Sequence, residues 1–353
     1  MRTFCTLFNV NYLDKGLVLF DSLEKNAPTS ILYVLAMDDK CYEVLSDINK
    51  PNLIPIRLKD FESDELLRVK PTRKLGEYYW TCSAWLISFV LDTFQPDYCT
   101  YLDADLYIYS DPEVIIQEMK EKNASVQVIS HHFHPLVSED TSRIVGKYCV
   151  EFDTFKNDEQ GKQLLETWKK QVIDHCSIDG DGVYWGDQKY QDDWVDDYSY
   201  VIATDNVGAG VAPWNITQYK WMDRKNNRIE VKRWGKKAPL LFYHFENITY
   251  INESMVDTSL LCSWGIDKAF IDRLYVPYLT KIREVKQLLK EKYGVDILIK
   301  SHPGVAQEKI RRENFLKRLV RLIQEKRVLH SVMLNLCISL PSVLFKNKRY
   351  ISF

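Results

Sequence analysis

The sequence is poor in the features that mark disulfide-bonded, secreted or repetitive proteins. Its 353 residues include eight cysteines, and no two of them form a C-x-x-C pair, which excludes a zinc knuckle and a thioredoxin-type motif. The amino-terminal residues lack the charged segment and long apolar run of a secretory signal. No internal repeat or low-complexity segment is visible. We therefore expect a cytoplasmic protein in a reducing compartment.

Charge is nearly balanced over the whole chain but unevenly distributed along it. The 47 Lys and Arg against 49 Asp and Glu give a net charge of −2. Residues 305–353 hold eleven Lys and Arg against three Glu, so residues 1–304 carry a net charge of −10. An acidic body with its basic residues confined to one segment argues against nucleic-acid binding.

The basic segment is predicted to contain an amphipathic helix over 305–334. Phe315, Leu319 and Ile323 recur at helical spacing, with Lys and Arg around them. Two interpretations stay open. The helix binds the anionic inner face of the membrane, or it packs on its own domain with its basic side in solvent. Residues 332–345 are too short and too interrupted to span a bilayer.

Apolar runs and helical patterns alternate in the first part of the chain. Strands are predicted at 3–8, 31–36 and 53–56, and helices at 12–25 and 39–48. This rhythm is typical of an α/β fold, in which helices cover a parallel sheet. With 46% hydrophobic residues, the chain can bury a sizeable core.

The alternation continues to about residue 175 and then gives way to loops. Pro71 and Gly76 bracket a predicted loop. The region 177–215 is rich in glycine, including Gly180 and Gly182, and such loops on an α/β scaffold usually carry function. The further predicted elements are a helix at 77–93, a strand at 98–102 that continues extended over 106–109, a helix at 112–121, strands at 125–130 and 147–155, a helix at 158–175 and a last strand at 239–244.

Asp103 and Asp105 follow the strand predicted at 98–102. Residues two apart on an extended chain point to the same side, and ligands of open α/β sheets bind at the carboxyl ends of strands. Two carboxylates this close repel each other unless a cation or a donor lies between them. A hard divalent cation accepts such oxygens and can bridge a diphosphate. The alternative is a solvated strand end with two acidic residues.

His244 also lies at the end of a predicted strand. A lone histidine there is commonly a structural hydrogen-bonding residue, but a carboxylate pair with one imidazole makes a suitable Mn²⁺ site. Three further histidines, His131, His132 and His134, follow another strand and either line a substrate pocket or lie on the surface.

The segment around Gly186 is a candidate for contact with the reacting group. Gly186 allows a close backbone approach, and Asp187 and Gln188 would open a short helix. Either Asp187 caps that helix, or one of the two side chains faces the reacting carbon.

The segment 208–215 is a second candidate for substrate contact. Gly208 and Gly210 would let the backbone approach a ligand, and Trp214 would flank a sugar. A turn before a strand would have the same sequence pattern.

Taken in order, these segments resemble bacterial glycosyltransferases of the GT-A fold, close to glycosyltransferase family 8. The matching segments are FCTLFNVNY at 4–12, YLDADLY at 101–107, SDPE at 110–113, GDQ at 186–188, APWN at 212–215 and YHF at 243–245. The resemblance covers about residues 1–250 and implies a Rossmann-like nucleotide-diphospho-sugar transferase domain. Because the pattern turns helical beyond 265, we expect this domain over 1–264 and a helical, basic extension over 265–353.

The resemblance also implies a UDP-sugar donor and a Mn²⁺ or Mg²⁺ ion held by Asp103, Asp105 and His244. Asp187 and Gln188 match the positions that face the donor sugar. The match of residues 4–12 implies a base-binding role for Phe8, Asn9, Asn11 and Tyr12. The remaining residues expected to contact the donor are Arg73, Ala104, Gly208, Gly210 and Trp214.

The chain departs from the family pattern at three places. The segment after His244 lacks the lysine that would contact the pyrophosphate, and Cys149 stands where an asparagine near the sugar is usual. The arginine usual on the helix before the Asp103 strand is also missing, so we expect Lys70, Arg73 or Lys74 to substitute for it.

The implied activity is retaining transfer of a hexose to a glycan or lipid-linked acceptor, as in bacterial surface polysaccharide or lipopolysaccharide synthesis. Asp187 would be the nucleophile of a two-step reaction, and Gln188 would stabilise charge in a front-face reaction. The alternative is a binding or scaffold protein that kept the fold but not the activity. A sugar-1-phosphate nucleotidyltransferase is discounted, because residues 9–15 lack a glycine-rich basic loop.

Overall fold

The computed structural model describes residues 2–134, 138–178, 184–222, 229–253, 255–258, 260, 268–297 and 350–352. The predicted basic helix at 305–334, the segment 332–345, the expected boundary at 264/265, and Gly180 and Gly182 lie outside the described residues. Within those ranges, no helix has both the length and the apolar character needed to cross a membrane.

Fifteen strands are described. They are β1 (Arg2–Phe8), β2 (Ser30–Ala36), β3 (Leu53–Arg57), β4 (Tyr98–Leu102), β5 (Leu106–Ile108), β6 (Val126–Ser130), β7 (Tyr148–Lys156), β8 (Val201–Ala203), β9 (Lys220–Met222), β10 (Glu230–Arg233), β11 (Lys236–Pro239), β12 (Phe242–His244), β13 (Thr249–Asn252), β14 (Met255–Asp257) and β15 (Tyr350–Ser352).

Ten α-helices are described between and after these strands. They are α1 (Leu13–Asn26), α2 (Asp39–Ile48), α3 (Leu58–Phe61), α4 (Asp64–Val69), α5 (Leu75–Phe94), α6 (Glu113–Glu121), α7 (Ser138–Val145), α8 (Glu159–Asp174), α9 (Trp194–Asp197) and α10 (Lys268–Tyr293).

The main sheet has seven strands in the order β3-β2-β1-β4-β7-β6-β8. Its neighbours pair in parallel, except that β7 runs antiparallel to both β4 and β6. The predicted α/β class with a parallel-dominated sheet is confirmed. Because β7 is reversed, its amino-terminal half lies at the same edge as the carboxyl ends of β1 and β4.

The central strand β1 is buried on both faces because apolar side chains point to each side of it. In β1, Phe4 and Phe8 pack in one core with α1 and α2, whereas Cys5 and Leu7 pack in a second core with α5 and α8. Full burial of such side chains stabilises the fold by about 1.5–3 kcal/mol each. The two cores fix the sheet edge on which β1, β4 and β7 place their polar residues.

The predicted single strand at 239–244 is wrong, because two strands share these residues. β11 ends at Pro239 in a small sheet with β10 and β9, and β12 begins at Phe242 and pairs antiparallel with β5. His244 is thus the last residue of a strand outside the main sheet. Its pairing partner is Leu106, directly after the Asp103–Asp105 turn.

Other differences from the sequence prediction are local. Gly76 lies inside α5 and does not bound a loop, since that helix begins at Leu75. The short helices α3, α4 and α7 were not predicted. The helical pattern beyond 265 is confirmed for α10, whose Leu274 and Tyr278 belong to the same core as Phe4.

Candidate functional site

Two strand ends bring Asp103, Asp105 and His244 together. β4 ends at Leu102, and the chain turns so that the Leu106 amide donates to the Asp103 carbonyl at 3.2 Å. β12 runs beside this turn, and the amide after His244 donates to the Asp105 carbonyl at 2.9 Å. The backbone pairing therefore fixes the imidazole beside both carboxylates.

The three side chains form one compact group of potential metal ligands. The atoms that could bind an ion all lie within 4.8 Å of one another. His244 Nε2 is 3.0 Å from Asp105 Oδ1 and 3.7 Å from Asp103 Oδ2. Asp103 keeps 34% of its side chain exposed, whereas the side chains of Asp105 and His244 are 10% and 5% exposed. A ligand from solvent would therefore reach the group on the Asp103 side.

The charges of the group are strongly coupled. Burial raises the pKa of Asp103 well above its ordinary value, and the neighbouring Asp105 carboxylate adds to this effect. Burial acts the same way on Asp105, but His244 and Lys15 outweigh it and lower its pKa to about 2. Burial would lower the pKa of His244, yet Asp105 and other hydrogen-bond partners raise it well above its ordinary value. The pKa shifts of Asp105 and His244 thus depend on each other's charge.

Glu151 of β7 completes the surroundings of His244. Its Oε2 is 2.6 Å from His244 Nδ1, and the side chain is fully buried. Its Oε1 has no hydrogen-bond partner. A carboxylate that accepts from one imidazole nitrogen leaves the other nitrogen to face a metal, which is the usual arrangement around histidine ligands. The donor set therefore fits a hard divalent cation at Nε2.

A second group of potential ligands shares His244. It consists of Cys149, Glu151 and His244, all of them buried. Burial raises the pKa of the Cys149 thiol well above its ordinary value. A thiol must lose its proton to bind a metal, so this group is the weaker candidate.

Trp214 and Asn215 build the wall next to His244. The Trp214 ring meets the imidazole edge-to-face with centroids 5.5 Å apart, and its Nε1 donates to the His131 carbonyl at 2.7 Å. Asn215 is buried and donates to the carbonyls of His131 and Gly210 at 2.9 and 2.6 Å. The predicted donor contact of Trp214 stays a prediction, while Asn215 holds the loop in shape.

Burial determines the charge of two histidines that follow β6. His131 is buried, stacks on Phe133 and lies behind Trp214, and burial lowers its pKa to about 3. Burial likewise lowers the pKa of His132 to about 4. His131 is therefore a neutral part of the wall and not a surface imidazole.

Asp187 is held between two helices and does not cap the short helix that follows it. Its Oδ2 accepts from the Ser83 hydroxyl of α5 at 2.5 Å, and its carbonyl accepts from Trp168 Nε1 of α8 at 2.9 Å. No side-chain cap bond forms at the 3₁₀ turn Gln188–Gln191. Burial raises the pKa of Asp187 to about 7. A carboxyl group with this pKa exchanges its proton near neutral pH.

Gln188 points toward the end of α7, where its amide donates to the Val145 carbonyl at 2.6 Å. Gly186 before it has a φ of +55°, and a Cβ there would lie 3.1 Å from the Trp80 ring. A side chain at this position would be strained, so glycine is needed for the turn that presents Asp187.

The glycines at 208 and 210 make room for neighbouring parts of the protein. A Cβ on Gly208 would lie 1.9 Å from the Pro239 carbonyl oxygen. Gly210 has a φ of +68°, and a Cβ there would lie 2.8 Å from Ile129 and 3.5 Å from Glu151 Oε1. Their predicted contact with a ligand stays a prediction, while the structure supplies a packing reason for both.

The segment predicted to bind the base is only partly accessible. The Phe8 ring is 2% exposed and its carbonyl accepts from the Met37 amide at 2.9 Å. Asn9 Oδ1 accepts from the Asn11 amide at 3.1 Å and caps the 3₁₀ turn Val10–Tyr12. Tyr12 is 36% exposed and Asn11 is exposed. Tyr12 and Asn11 are therefore the members of this set that offer surface to a nucleotide.

The basic residues proposed to replace the missing arginine have partners elsewhere. Arg73 Nη2 donates to the carbonyls of Val172 and Ile173 at 3.2 and 2.8 Å, where α8 ends. Lys70 Nζ is 2.5 Å from Glu62 Oε1. Their predicted contact with the donor stays a prediction.

Two charged residues near the metal group were not singled out from the sequence. Glu151 lies in the apolar strand β7, and Lys15 lies in the first turn of α1, 4% exposed, with Nζ 3.8 Å from Asp105 Oδ2. Burial lowers the pKa of Lys15, but Tyr12, Asp105 and Asp14 more than compensate and raise it. A strand or helix pattern gives no sign of which long-range partner such a residue meets.

A cavity of about 160 Å³ opens at the opposite edge of the sheet, where β1 and β4 begin. Arg2, Asp97, Glu113 and Lys120 are among its lining residues. None of the predicted site residues lines it, and the residues with metal-binding chemistry lie at the carboxyl edge, so we place the candidate site there.

Comparison with known sequences finds relatives without an assigned activity. No protein-family model matches the chain. The uncharacterized protein YfnD of Bacillus subtilis (strain 168) is 28% identical over 284 residues, which cover 79% of this chain and 88% of YfnD. The uncharacterized protein YfnF of the same organism is 28% identical over 303 residues, covering 82% of this chain and 96% of YfnF.

Solved structures that resemble the chain are glycosyltransferases. Mouse xyloside xylosyltransferase 1 in its apo form has a TM-score of 0.44 and 14% identity, covering 70% of this chain and 98% of that one. The galactosyltransferase LgtC, in complex with donor and acceptor sugar analogues, has a TM-score of 0.48 and 10% identity, covering 80% and 95%. The GT-A fold family stays a prediction. At such scores and identities, no function is carried over from them.

Proposed function

We propose that the protein is a retaining glycosyltransferase that takes a hexose from a UDP-sugar in a reaction that depends on a divalent cation. The observation that carries the proposal is the group of Asp103, Asp105 and His244 at the carboxyl edge of the sheet. Two carboxylates and an imidazole within 4.8 Å suit Mn²⁺ or Mg²⁺. Such an ion commonly holds the phosphates of a nucleotide.

The chain's own residues divide the work at this edge. Asp103, Asp105 and His244 would hold the ion, which when bound supplies Lewis acidity to the departing diphosphate. Glu151 accepts from His244 Nδ1 and so keeps Nε2 directed at the ion. Tyr12 and Asn11 offer exposed surface for the base, next to the same edge.

The sugar would lie between the metal group and Asp187. Trp214 packs on His244 and provides an aromatic wall of the kind on which sugars stack. Asp187 is fixed by Ser83, so its carboxylate is preorganised for attack on the anomeric carbon in a two-step reaction. In the front-face alternative the acceptor hydroxyl enters directly, and Gln188 stabilises the developing charge.

The acceptor would be a glycan or a lipid-linked saccharide, as in the synthesis of bacterial surface polysaccharide or lipopolysaccharide. The basic residues of 305–353 would then hold the protein at the anionic inner face of the membrane. Co-sedimentation with anionic vesicles measures that contribution, for the wild-type chain against a variant with Arg311, Arg312, Lys317 and Arg318 replaced by glutamine.

A nucleotide sugar is expected to stabilise the protein only when the metal is present. A ligand at 100 times its dissociation constant adds about 2.7 kcal/mol to the free energy of unfolding. For a chain of this length, that corresponds to a rise in Tm of roughly 3–4 °C. A thermal-shift screen of UDP-, GDP- and ADP-sugars with and without Mn²⁺ measures it. No shift with any nucleotide sugar at saturating Mn²⁺ contradicts the proposal.

Glu151→Gln is expected to weaken Mn²⁺ binding by about 10- to 100-fold, because an amide no longer fixes the His244 tautomer as a carboxylate does. Isothermal titration with MnCl₂ in the absence of nucleotide measures the affinity. Glu166→Gln is the matched control, since Glu166 is an exposed residue of α8. Unchanged Mn²⁺ affinity in Glu151→Gln would show that His244 does not need this partner.

Release of UDP from a UDP-sugar without any acceptor separates an enzyme from a scaffold that only binds. Metal-dependent hydrolysis by the wild-type chain, even if slow, requires a site that activates the donor. Tight binding of the donor with no turnover, with or without acceptor extracts, would favour the scaffold.

A further inference from the structure

A buried lysine lies beside the candidate metal group. Lys15 is 4% exposed, its Nζ is 3.8 Å from Asp105 Oδ2, and the same atom lies 4.0 Å from the centre of the Tyr12 ring. Lysine is almost never buried to this degree unless its charge is paired. Asp105 and Tyr12 are the residues proposed here for the metal and the base, so the ammonium lies between these two parts of the donor site.

The fold delivers Lys15 to this place through the short connection after β1. The 3₁₀ turn Val10–Tyr12 leads directly into α1, so the first turn of α1 lies over the carboxyl edge of the sheet. The amino end of a helix carries unpaired N–H groups and a partial positive charge. The lysine and the helix end therefore present positive charge to the same region.

Asp14, the carboxylate next to Lys15 in the sequence, does not neutralise the Lys15 ammonium alone. Asp14 is fully buried, accepts from the Tyr250 hydroxyl, and receives the backbone amide of Lys15 at 2.8 Å. Lys15 forms its ion pair with Asp105, at 3.8 Å from Nζ to Oδ2. When Asp105 binds a cation, its negative charge is shared between that cation and the Lys15 ammonium.

A cation at this group would favour an anionic ligand from outside the protein. The ion and the Lys15 ammonium would both place positive charge next to Asp105. Glu151 is engaged by His244 on the far side of the imidazole. An anionic ligand placed between Tyr12 and Asp105 would meet both positive charges, and a diphosphate has the size and charge to contact both the metal and Lys15.

We propose that Lys15 binds the diphosphate of the donor nucleotide. The proposal rests on the proposed function, because it takes Asp105 as a metal ligand. Lys15 contacts phosphate oxygens, neutralises the charge that grows on the leaving nucleotide, and releases Asp105 to the metal. It therefore distinguishes UDP from uridine.

The test compares UDP with uridine in wild-type protein and in Lys15→Met, which keeps the length of the side chain without its charge. Isothermal titration at saturating Mn²⁺ is expected to show UDP binding weakened by about 10- to 100-fold and uridine binding unchanged, as for the loss of one hydrogen bond between charged groups. Lys25→Met is the matched control, since Lys25 lies in the last turn of the same helix and is exposed. The control is expected to bind UDP as the wild type does.

The outcomes separate this proposal from the proposed function. If wild-type protein does not bind UDP with Mn²⁺, the proposed function fails. If the wild type binds UDP and Lys15→Met binds it equally well, the role of Lys15 is overturned while the metal site stands. Should Lys15→Met not fold, Lys15→Arg and Lys15→Gln make the same comparison, because both keep a polar end group. Arg is then expected to bind UDP at least ten times more tightly than Gln, and equal affinities overturn the proposal.

Discussion

Asp105→Ala is expected to lower the turnover of UDP-sugars at saturating Mn²⁺ by about a thousand-fold or more. Asp105 is the carboxylate closest to His244 Nε2 and the deeper of the two in the group. Its loss leaves an ion with one carboxylate and one imidazole. Lewis-acid stabilisation of a leaving phosphate is worth several kcal/mol, and about 4 kcal/mol corresponds to a thousand-fold in rate.

Release of UDP from a panel of UDP-sugars, in buffer free of EDTA, measures this loss. Asp193→Ala is the matched control, because the Asp193 side chain is 79% exposed and is not one of the three proposed metal ligands. Full activity of Asp105→Ala under these conditions would contradict the assignment of Asp105 as a metal ligand. Mn²⁺ titration of the same variant tells whether the ion is lost or only misplaced.

The fold is expected to survive the substitution, although Lys15 loses its ion-pair partner. A buried charge left without a partner costs stability, so Tm is expected to fall modestly. Asp105→Asn also removes the negative charge beside Lys15, but the amide keeps the shape of the side chain and a hydrogen-bond acceptor for His244. Both variants should lose Mn²⁺-dependent turnover, and Asp105→Asn should do so with the smaller loss of stability.

The sequence could predict the elements whose own residues decide their structure. β1 and β2 are mostly apolar, and both were expected within a residue of their bounds, because a strand buried on two faces needs apolar side chains toward both cores. α8 has an Asp158 cap and an apolar stripe, and it was expected at 158–175 against Glu159–Asp174. Four-residue helices such as α3 offer no period to detect.

The strand bounds around His244 could not be predicted from the local sequence pattern. The run from Pro239 to His244 is uniformly apolar before the histidine, and it was expected to be one strand. The structure divides it because β11 pairs with β10 whereas β12 pairs with β5, whose residues lie more than a hundred positions earlier. Long-range pairing decides the strand bounds and also brings His244 to Asp105.

Glu151 and Lys15 could not be assigned from the sequence for a related reason. A charged residue within an apolar strand or an amphipathic helix is usually on a solvated face. Here both are buried, and their partners are His244 and Asp105 from other parts of the chain. The sequence predicted that Lys70, Arg73 or Lys74 replaces the missing arginine, whereas the buried lysine beside Asp105 is Lys15.

Asp187→Asn is expected to reduce transfer by at least about a hundred-fold if Asp187 is the nucleophile, because an amide cannot form the glycosyl ester. Asparagine keeps an oxygen that can accept from Ser83, so the position of the side chain should hardly change. Asp196→Asn, with its side chain 78% exposed, is the control. Transfer at the wild-type rate would remove Asp187 from the mechanism and leave Gln188 as the stabilising group.

The same residue is expected to make stability depend on pH, which checks its ionisation apart from activity. Burial raises the pKa of Asp187 from 3.8 to about 7, so the folded protein holds a proton that the unfolded chain releases. Its contribution to stability is therefore greatest below about pH 4 and is lost as pH rises through about 7, by an amount on the order of a few kcal/mol. Asp187→Asn lacks this loss and should be more stable than the wild type at pH 8, but not at pH 4. If Tm measured across pH 4–8 differs between the two proteins by a constant amount, folding does not raise the pKa of the Asp187 carboxyl group.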